Sequence, residues 1–275
     1  MHDMSRSTHL RAVFISDVHL GARDCQAEKL TDFLRNLSCE RLFLVGDIID
    51  GWKMKGGWCW PPSHHEVLRE LLRLARDGAI LTYIPGNHDD RLRDFCGVHF
   101  AGVRVARDAE HETADGRRFL VTHGDEFDTL SKRPFWHALA GDLAYKALLG
   151  LSTAIVRVRE RLSLPYWSLS IHIKTKIGGA RRFVEAFEDA AAEGARRRGY
   201  DGVICGHIHS SGMRQIGPVL YANDGDWVES CTVLVEHADG RLEIVDWAAR
   251  TSSSMIQQGG RAGRAAKPLL EPAPA

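Results

Sequence analysis

The 275-residue chain lacks the features that mark several classes of protein. It has no net charge, because Lys plus Arg and Asp plus Glu both number 36, and this argues against a strongly basic nucleic-acid binder. Its six cysteines form no C-x-x-C pair, which excludes zinc knuckles and thioredoxin-like redox motifs. No apolar run approaches the ~20 residues that cross a bilayer, and the polar N-terminus shows no secretory signal. We therefore expect a cytoplasmic protein with reduced thiols.

What the chain does have is the composition of a globular domain, with 44% hydrophobic and 26% charged residues. Short apolar runs at 11–16, 41–45 and 79–84 predict buried strands, and apolar spacing at 26–37 and 64–77 predicts two helices. Because strand and helix alternate, we expect βαβ units and a parallel sheet. Further short strands are predicted at 103–106, 118–122, 202–205, 219–222, 231–237 and 241–247.

The pattern predicts one domain over residues 1–250 and a disordered tail at 251–275, which is rich in Ser, Gly, Ala and Pro. Within the domain, about 132–200 has long helical patterns, an excess of Lys and Arg, and many aromatic residues. We interpret this stretch as a helical insertion or lid. The alternative is a pair of amphipathic helices packed on the sheet, with a solvated basic face.

Polar motifs follow five of the apolar runs, at the ends of predicted strands. The motifs are Asp17-Val18-His19, Gly46-Asp47-Ile48-Ile49-Asp50, Gly86-Asn87-His88-Asp89, His123-Gly124-Asp125 and Gly206-His207-Ile208-His209. The carboxyl ends of strands in an open α/β sheet are where ligand sites assemble. We therefore expect the five motifs to build one composite site.

The residue types in these motifs indicate a metal site. Asp, Asn and His dominate and no Cys takes part, an oxygen-and-imidazole set that suits Mn²⁺, Fe or Zn²⁺. In an extended D-x-H or H-x-H segment, the two ligands project the same way and can grip one ion. Glycine before Asp47, Asn87 and His207 is typical of a close backbone approach. Taken singly, these residues also fit helix caps, turns or a buried histidine.

The five motifs, in this order over roughly residues 11–247, resemble the calcineurin-like metallophosphoesterase superfamily. The resemblance implies an α/β fold, a four-layer αββα sandwich with a helical lid insertion, and a dinuclear centre of two divalent ions. It implies ligands for one ion at Asp17, His19, Asp47 and His209. It implies ligands for the other at Asp47, Asn87, His123 and His207, with Asp47 bridging. His88 matches the catalytic histidine and Asp50 the carboxylate that orients it.

Three further segments are similar to the UDP-2,3-diacylglucosamine pyrophosphatase family of lipid A biosynthesis: 86–91, 164–170 with Lys174 and Lys176, and 223–230. That resemblance implies release of UMP and 2,3-diacylglucosamine 1-phosphate. The ligand set favours Mn²⁺ as the metal, and Fe or Zn²⁺ also fit. Arg91, Lys174 and Lys176 are then the candidate substrate contacts, and the basic lid is expected to touch an anionic inner membrane. We expect a nucleotide-diphospho-lipid substrate and no nucleic acid.

One position departs from this second family. Its best-known enzymes have Arg where this chain has His88, which is the general superfamily residue. The alternatives are therefore a broader metallophosphodiesterase or nucleotide phosphatase, and a non-catalytic scaffold with the same fold. The scaffold is disfavoured because every expected ligand position is filled.

Overall fold

The computed structural model describes residues 9–53, 57–128 and 178–250, and its centre consists of two β-sheets. The first sheet has the order β12-β11-β1-β2-β3-β5-β4 and the second β6-β7-β8-β10-β9. The strands of the first sheet are β1 (Leu10–Ile15), β2 (Cys39–Val45), β3 (Ile80–Ile84), β4 (His99–Phe100), β5 (Val103–Val105), β11 (Thr232–Glu236) and β12 (Leu242–Asp246). Those of the second are β6 (Ala109–Glu112), β7 (Arg118–Val121), β8 (Gly202–Cys205), β9 (Gly212–Ile216) and β10 (Val219–Asn223).

Parallel strands form the middle of both sheets. In the first sheet, β1 pairs with β2, β2 with β3 and β3 with β5 in parallel, and in the second β8 pairs in parallel with β7 and β10. Antiparallel strands lie toward the edges. These central strands are almost wholly apolar and buried because both of their faces are covered.

Helices cover the outer faces of the sheets. Helices α1 (Ala27–Arg35) and α2 (Pro62–Arg76) pack against the first sheet through apolar side chains such as Leu30 and Leu71. Helix α3 (Gly178–Arg197) packs on the second sheet through Phe187 and a row of alanines. A third apolar cluster, which includes Phe14 and Phe43, fills the space between the sheets. The predicted α/β sandwich of four layers, αββα, is therefore confirmed.

The carboxyl ends of five parallel strands carry the five polar motifs. Strands β1 and β2 end two residues before Asp17 and Asp47, and β3 ends three residues before Asn87. Strands β7 and β8 end two residues before His123 and His207. The first sheet thus contributes three motifs and the second contributes two. Because the sheets pack face to face, both groups reach the same end of the sandwich.

A buried hydrogen-bonded pair links the two sheets near their other end. His111 on β6 lies with Nε2 2.6 Å from Oε2 of Glu236 on β11, and both side chains are fully buried. Arg11 donates a second hydrogen bond to Glu236 at 2.8 Å. The carboxylate therefore joins a residue of each sheet, and its burial is compensated by two partners.

The sequence predicts the long elements correctly and misses three strands. Strands β4, β6 and β9 were not predicted, and the predicted parallel sheet is mixed because of its antiparallel edges. Of the predicted lid, residues 132–177 lie outside the described residues, as does the tail 251–275, while 178–197 form the outer helix α3. No helix in the described part of the chain is long and apolar enough to cross a membrane.

Phe14 tests the packing between the sheets. Its ring is fully buried and stacks on Phe43 with the centroids 4.9 Å apart. We expect Phe14→Ala to lower the free energy of unfolding by about 3–5 kcal/mol, because it removes a buried ring and leaves a cavity. Urea denaturation measures the change, with Phe100→Ala as the matched control because Phe100 is 77% exposed. A similar loss in both variants would contradict this packing.

Candidate metal centre

Five of the seven predicted metal ligands have a left-handed backbone. Their φ angles lie between 50° and 71°, and the residues are Asp17, His19, Asp47, His207 and His209. Only two other non-glycine residues in the described part of the chain share this conformation. Such a backbone costs about 1 kcal/mol or more at each residue and is typical of functional sites. The fold concentrates its backbone strain where the motifs meet.

The first group of side chains consists of Asp17, His19 and His209, and their ligand atoms lie within 4.8 Å of one another. His209 Nε2 is 3.1 Å from Asp17 Oδ1, and His19 Nε2 is 3.9 Å from the same oxygen. His19 Nε2 is also 3.9 Å from Asp47 Oδ2. The structure thus brings together the four residues predicted to hold one ion.

The second group is centred on His123. Its Nε2 lies 3.4 Å from Asp47 Oδ2 and 3.2 Å from the side-chain oxygen of Asn87. Its Nδ1 donates to the carbonyl of Val45, which leaves Nε2 as the free ligand atom. Asp47 Oδ2 lies near both His123 of this group and His19 of the first. A carboxylate shared in this way is what a bridge between two ions requires.

His207 lies beside these groups but not within the clusters of close ligand atoms. Its Nε2 is 3.1 Å from Oδ2 of Asp128, and its backbone N–H donates to Asp17 Oδ2 at 2.8 Å. With Nε2 engaged, Nδ1 is the atom left for an ion. A carboxylate that orients a ligating histidine is a common feature of metal sites. No motif in the sequence pointed to Asp128.

His88 and Asp50, the predicted catalytic pair, are in contact. His88 Nδ1 lies 3.1 Å from Asp50 Oδ1, and His88 Nε2 lies 4.0 Å from Asp47 Oδ2. Asp50 also lies 3.6 Å from Nδ1 of His19. Burial opposes the charged carboxylate, but the hydrogen bonds from His19 and His88 outweigh it and hold the pKa of Asp50 well below its usual value. Asp50 therefore stays ionised and orients the His88 ring.

The donor set fits divalent metal ions. Asp17 Oδ1 is buried and makes no well-aligned hydrogen bond among the described residues, although His209 Nε2 lies 3.1 Å away, so a cation would satisfy it. The glycines expected to allow close approach do so. A Cβ on Gly86 would lie 2.3 Å from Asp47 Oδ1, and one on Gly206 would lie 2.4 Å from Asp17 Oδ2. Larger residues at these two positions would displace the carboxylates.

The electrostatics of the site favour charged carboxylates. Burial opposes ionisation of Asp17 and Asp47, but the neighbouring histidines reverse its effect. The pKa of Asp17 falls well below its usual value beside His209, and that of Asp47 falls to about 2 beside His123. In turn, Asp47 overcomes the burial of His123 and raises its pKa to about 10. Two charged, buried carboxylates with histidine neighbours are suited to bind cations.

Asp89 joins the loops that follow β2 and β3. The sequence alone did not decide whether Asp89 is only a turn residue. Its buried carboxylate accepts hydrogen bonds from the backbone N–H groups of Ile48 at 2.9 Å and Gly86 at 2.6 Å. The hydroxyl of Tyr83 donates a third at 2.5 Å. These bonds tie the backbone just after Asp47 to the loop that follows β3. Burial and the nearby Asp47 raise the pKa of Asp89.

A buried pair behind Asp17 was also not predicted as part of the site. Ser16 Oγ lies 2.6 Å from Asp17 Oδ2 and 2.6 Å from Asp224 Oδ1. One hydroxyl hydrogen serves one carboxylate, so the second short contact needs a proton on Asp224. Burial raises the pKa of Asp224 well above its usual value, which supplies that proton. Neutral Asp224 can then donate to Ser16, and Ser16 to Asp17.

Of the three predicted substrate contacts, only Arg91 lies within the described residues. Arg91 is exposed on a short 3-10 helix, Asp90–Phe95, that follows His88. Lys174 and Lys176 lie outside the described residues. On the same short helix, Arg93 binds both carboxylate oxygens of Asp125, at 2.7 and 2.9 Å. This pair ties the β3 loop of the first sheet to the β7 loop of the second.

Comparison with known proteins adds a family match. The family model described as calcineurin-like phosphoesterase matches residues 10–211. A comparison with curated protein sequences found no match.

The matches among solved structures are distant in sequence. An archaeal phosphodiesterase is 15% identical, with 85% of this chain and 98% of its own covered and a TM-score of 0.39. The phosphoesterase Yfce from E. coli is 15% identical, with 86% and 98% covered and a TM-score of 0.39. A phosphopantetheinyl hydrolase from Mycobacterium tuberculosis is 15% identical, with 81% and 92% covered and a TM-score of 0.42.

Metal content tests the shared role of Asp47. We expect Asp47→Ala to lose most of both ions, because the carboxylate faces both groups of ligands. His88→Ala should keep a metal content near that of the unaltered protein. Elemental analysis after reconstitution with Mn²⁺ measures this, with Asp108→Asn as a control because Asp108 pairs with Arg198 away from the motifs. Loss of metal from the His88 variant alone would contradict the assignment.

Metal binding should also release a proton from His123. In the metal-free protein its pKa is raised to about 10, so the ring is protonated near neutral pH, whereas an ion needs the bare nitrogen. Because this pKa lies above the usual 6.5, the protonated ring stabilises the metal-free fold at neutral pH, and the contribution is lost as pH rises through 10.

Calorimetric Mn²⁺ titrations in buffers of different ionisation enthalpy count the protons released. The result expected at neutral pH is about one proton fewer for His123→Gln than for the unaltered protein. An equal release from both proteins would show that His123 is not the source.

Proposed function

The chain belongs to the calcineurin-like phosphoesterase family, whose members use divalent metals to hydrolyse phosphoesters. Within this family, we propose that its substrate is UDP-2,3-diacylglucosamine. The proposed reaction is hydrolysis of UDP-2,3-diacylglucosamine to UMP and 2,3-diacylglucosamine 1-phosphate, a step of lipid A biosynthesis. The observation that carries the hydrolytic part is the convergence of the motif side chains from both sheets around Asp47. The proposed identity of the substrate rests on the three segments that resemble the UDP-2,3-diacylglucosamine pyrophosphatase family, two of which border the site.

Two of these segments have a clear place in the structure. Residues 86–91 contain Asn87, His88 and Asp89, which surround Asp47. Residues 223–230 lie behind Asp17, because Asp224 contacts Ser16 and the N–H of Trp227 donates to the Asp17 carbonyl at 3.0 Å. Both segments therefore support the metal ligands as well as resembling the family.

The proposed roles follow from these positions. The seven ligand residues would hold two ions, Mn²⁺ being proposed, that clamp the diphosphate and supply an activated water. We propose that His88 gives a proton from Nε2 to the leaving oxygen, because Nε2 lies 4.0 Å from Asp47 Oδ2 while Asp50 holds Nδ1. The contact between Nδ1 and Asp50 would keep the ring in this orientation.

The location in the cell is part of the same proposal. A substrate with two acyl chains lies in a membrane, so we propose a cytoplasmic enzyme that touches the inner membrane at its surface. The basic stretch that contains Lys174 and Lys176 would supply attraction to anionic lipid.

A second candidate is a broader phosphodiesterase or nucleotide phosphatase. His88 favours it, because the best-known UDP-2,3-diacylglucosamine enzymes have Arg at this position while the wider superfamily has His. The ligand groups around Asp47 would serve either reaction equally well.

Turnover by the Mn²⁺-loaded protein distinguishes these functions. We expect UMP from UDP-2,3-diacylglucosamine, measured by mass spectrometry, and almost none from Asp47→Ala. His88→Ala should be slower by about 10²–10⁴-fold, the usual contribution of a general acid, and Asp108→Asn should be unchanged. Cyclic nucleotides and bis(p-nitrophenyl) phosphate form the comparison panel. Good activity on that panel with no UMP would contradict the proposed substrate and favour the second candidate.

A further inference from the structure

Trp52 stacks directly on the proposed catalytic histidine. Its indole lies nearly parallel to the His88 ring, at 25°, with the centroids 3.9 Å apart. His19 contacts His88 edge-on with the centroids 4.6 Å apart. The His88 ring is therefore held by Asp50 at one nitrogen, by Trp52 on a face and by His19 at the side.

The loop that carries Trp52 is tied to the site on both sides. The N–H of Gly51 donates to the His88 carbonyl at 3.0 Å, and the N–H of Lys53 donates to Asp50 Oδ1 at 3.1 Å. A Cβ on Gly51 would lie 2.7 Å from the His88 carbonyl oxygen, so glycine permits this approach. The position of the indole is thus set by the backbone and by its stack on His88.

Trp52 nevertheless remains 58% exposed. The fold buries Trp227 completely, so it can accommodate a buried indole elsewhere. A second exposed indole, Trp58, lies against Gly21, two residues beyond His19, and is 46% exposed. Large aromatic surface left in water at a polar site is typical of ligand binding rather than of packing. The exposed surface of Trp52 belongs to the same stack as the residue proposed to protonate the leaving group.

We propose that the exposed surface of Trp52 is a binding subsite for a flat ring of the substrate, the nucleobase of a nucleoside diphosphate compound. This inference rests on the proposed function for the identity of the ring, and its geometry comes from the Trp52–His88 stack. Base–aromatic stacking tolerates any base because every base has a π-face. Trp52 would thus select for a nucleotide as opposed to a plain phosphoester.

Removing Trp52 would also free one face of His88, so turnover alone would not separate ring binding from ring positioning. Binding of two product-like ligands does so. UMP and ribose 5-phosphate offer the same phosphate and pentose, and UMP alone has the base. Calorimetry with the Mn²⁺-loaded protein gives the dissociation constant of each ligand for the unaltered chain, Trp52→Ala, Trp52→Phe and Phe100→Ala.

We expect UMP to bind the unaltered protein about tenfold more tightly than ribose 5-phosphate. The preference should disappear in Trp52→Ala, largely return in Trp52→Phe, and persist in Phe100→Ala, which removes an exposed aromatic ring on strand β4. Equal binding of both ligands by the unaltered protein, or a preference that survives in Trp52→Ala, would overturn the subsite. Binding does not need turnover, so a failed assay with UDP-2,3-diacylglucosamine would leave this test intact.

Discussion

The close approach of two buried carboxylates, Asp17 and Asp47, is the constraint on which the rest of the structure depends. Both are almost fully buried and both stay charged, which is costly in a protein interior unless positive charge lies near. Neighbouring histidines offset part of that cost in the metal-free protein, because His209 lowers the pKa of Asp17 and His123 lowers that of Asp47. The arrangement is explained if divalent ions offset the remainder, because one cation replaces several weaker partners.

The surrounding fold holds the ligands in a conformation they would not adopt alone. The left-handed backbone at five of the seven ligands is unfavourable compared with regular strand conformation. Adjacent hydrogen bonds offset this cost. Asp89, in the loop after β3, fixes the backbone just after Asp47, and Arg93 with Asp125 ties the first sheet to the second. The site is therefore a joint product of both sheets, and neither alone contains a complete ligand set.

Sequence reasoning succeeded where a local signal exists. Each motif follows an apolar run that predicts a strand. Because the carboxyl ends of parallel strands lie at the same edge of a sheet, the convergence of Asp17, Asp47 and His123 was predictable. Edge strands β4, β6 and β9 were missed because they are short or largely exposed and carry no apolar run. The partners Asp128 and Asp224 were missed because their contacts join segments distant in sequence.

Anomalous X-ray diffraction from crystals soaked in Mn²⁺ tests whether the motif side chains hold two cations around Asp47. We expect two anomalous peaks about 3.5–4 Å apart. One should lie beside Asp17, His19 and His209, the other beside Asn87, His123 and His207, with Asp47 between them. A map with no peak there, or with one ion that Asp47 does not touch, would contradict this arrangement.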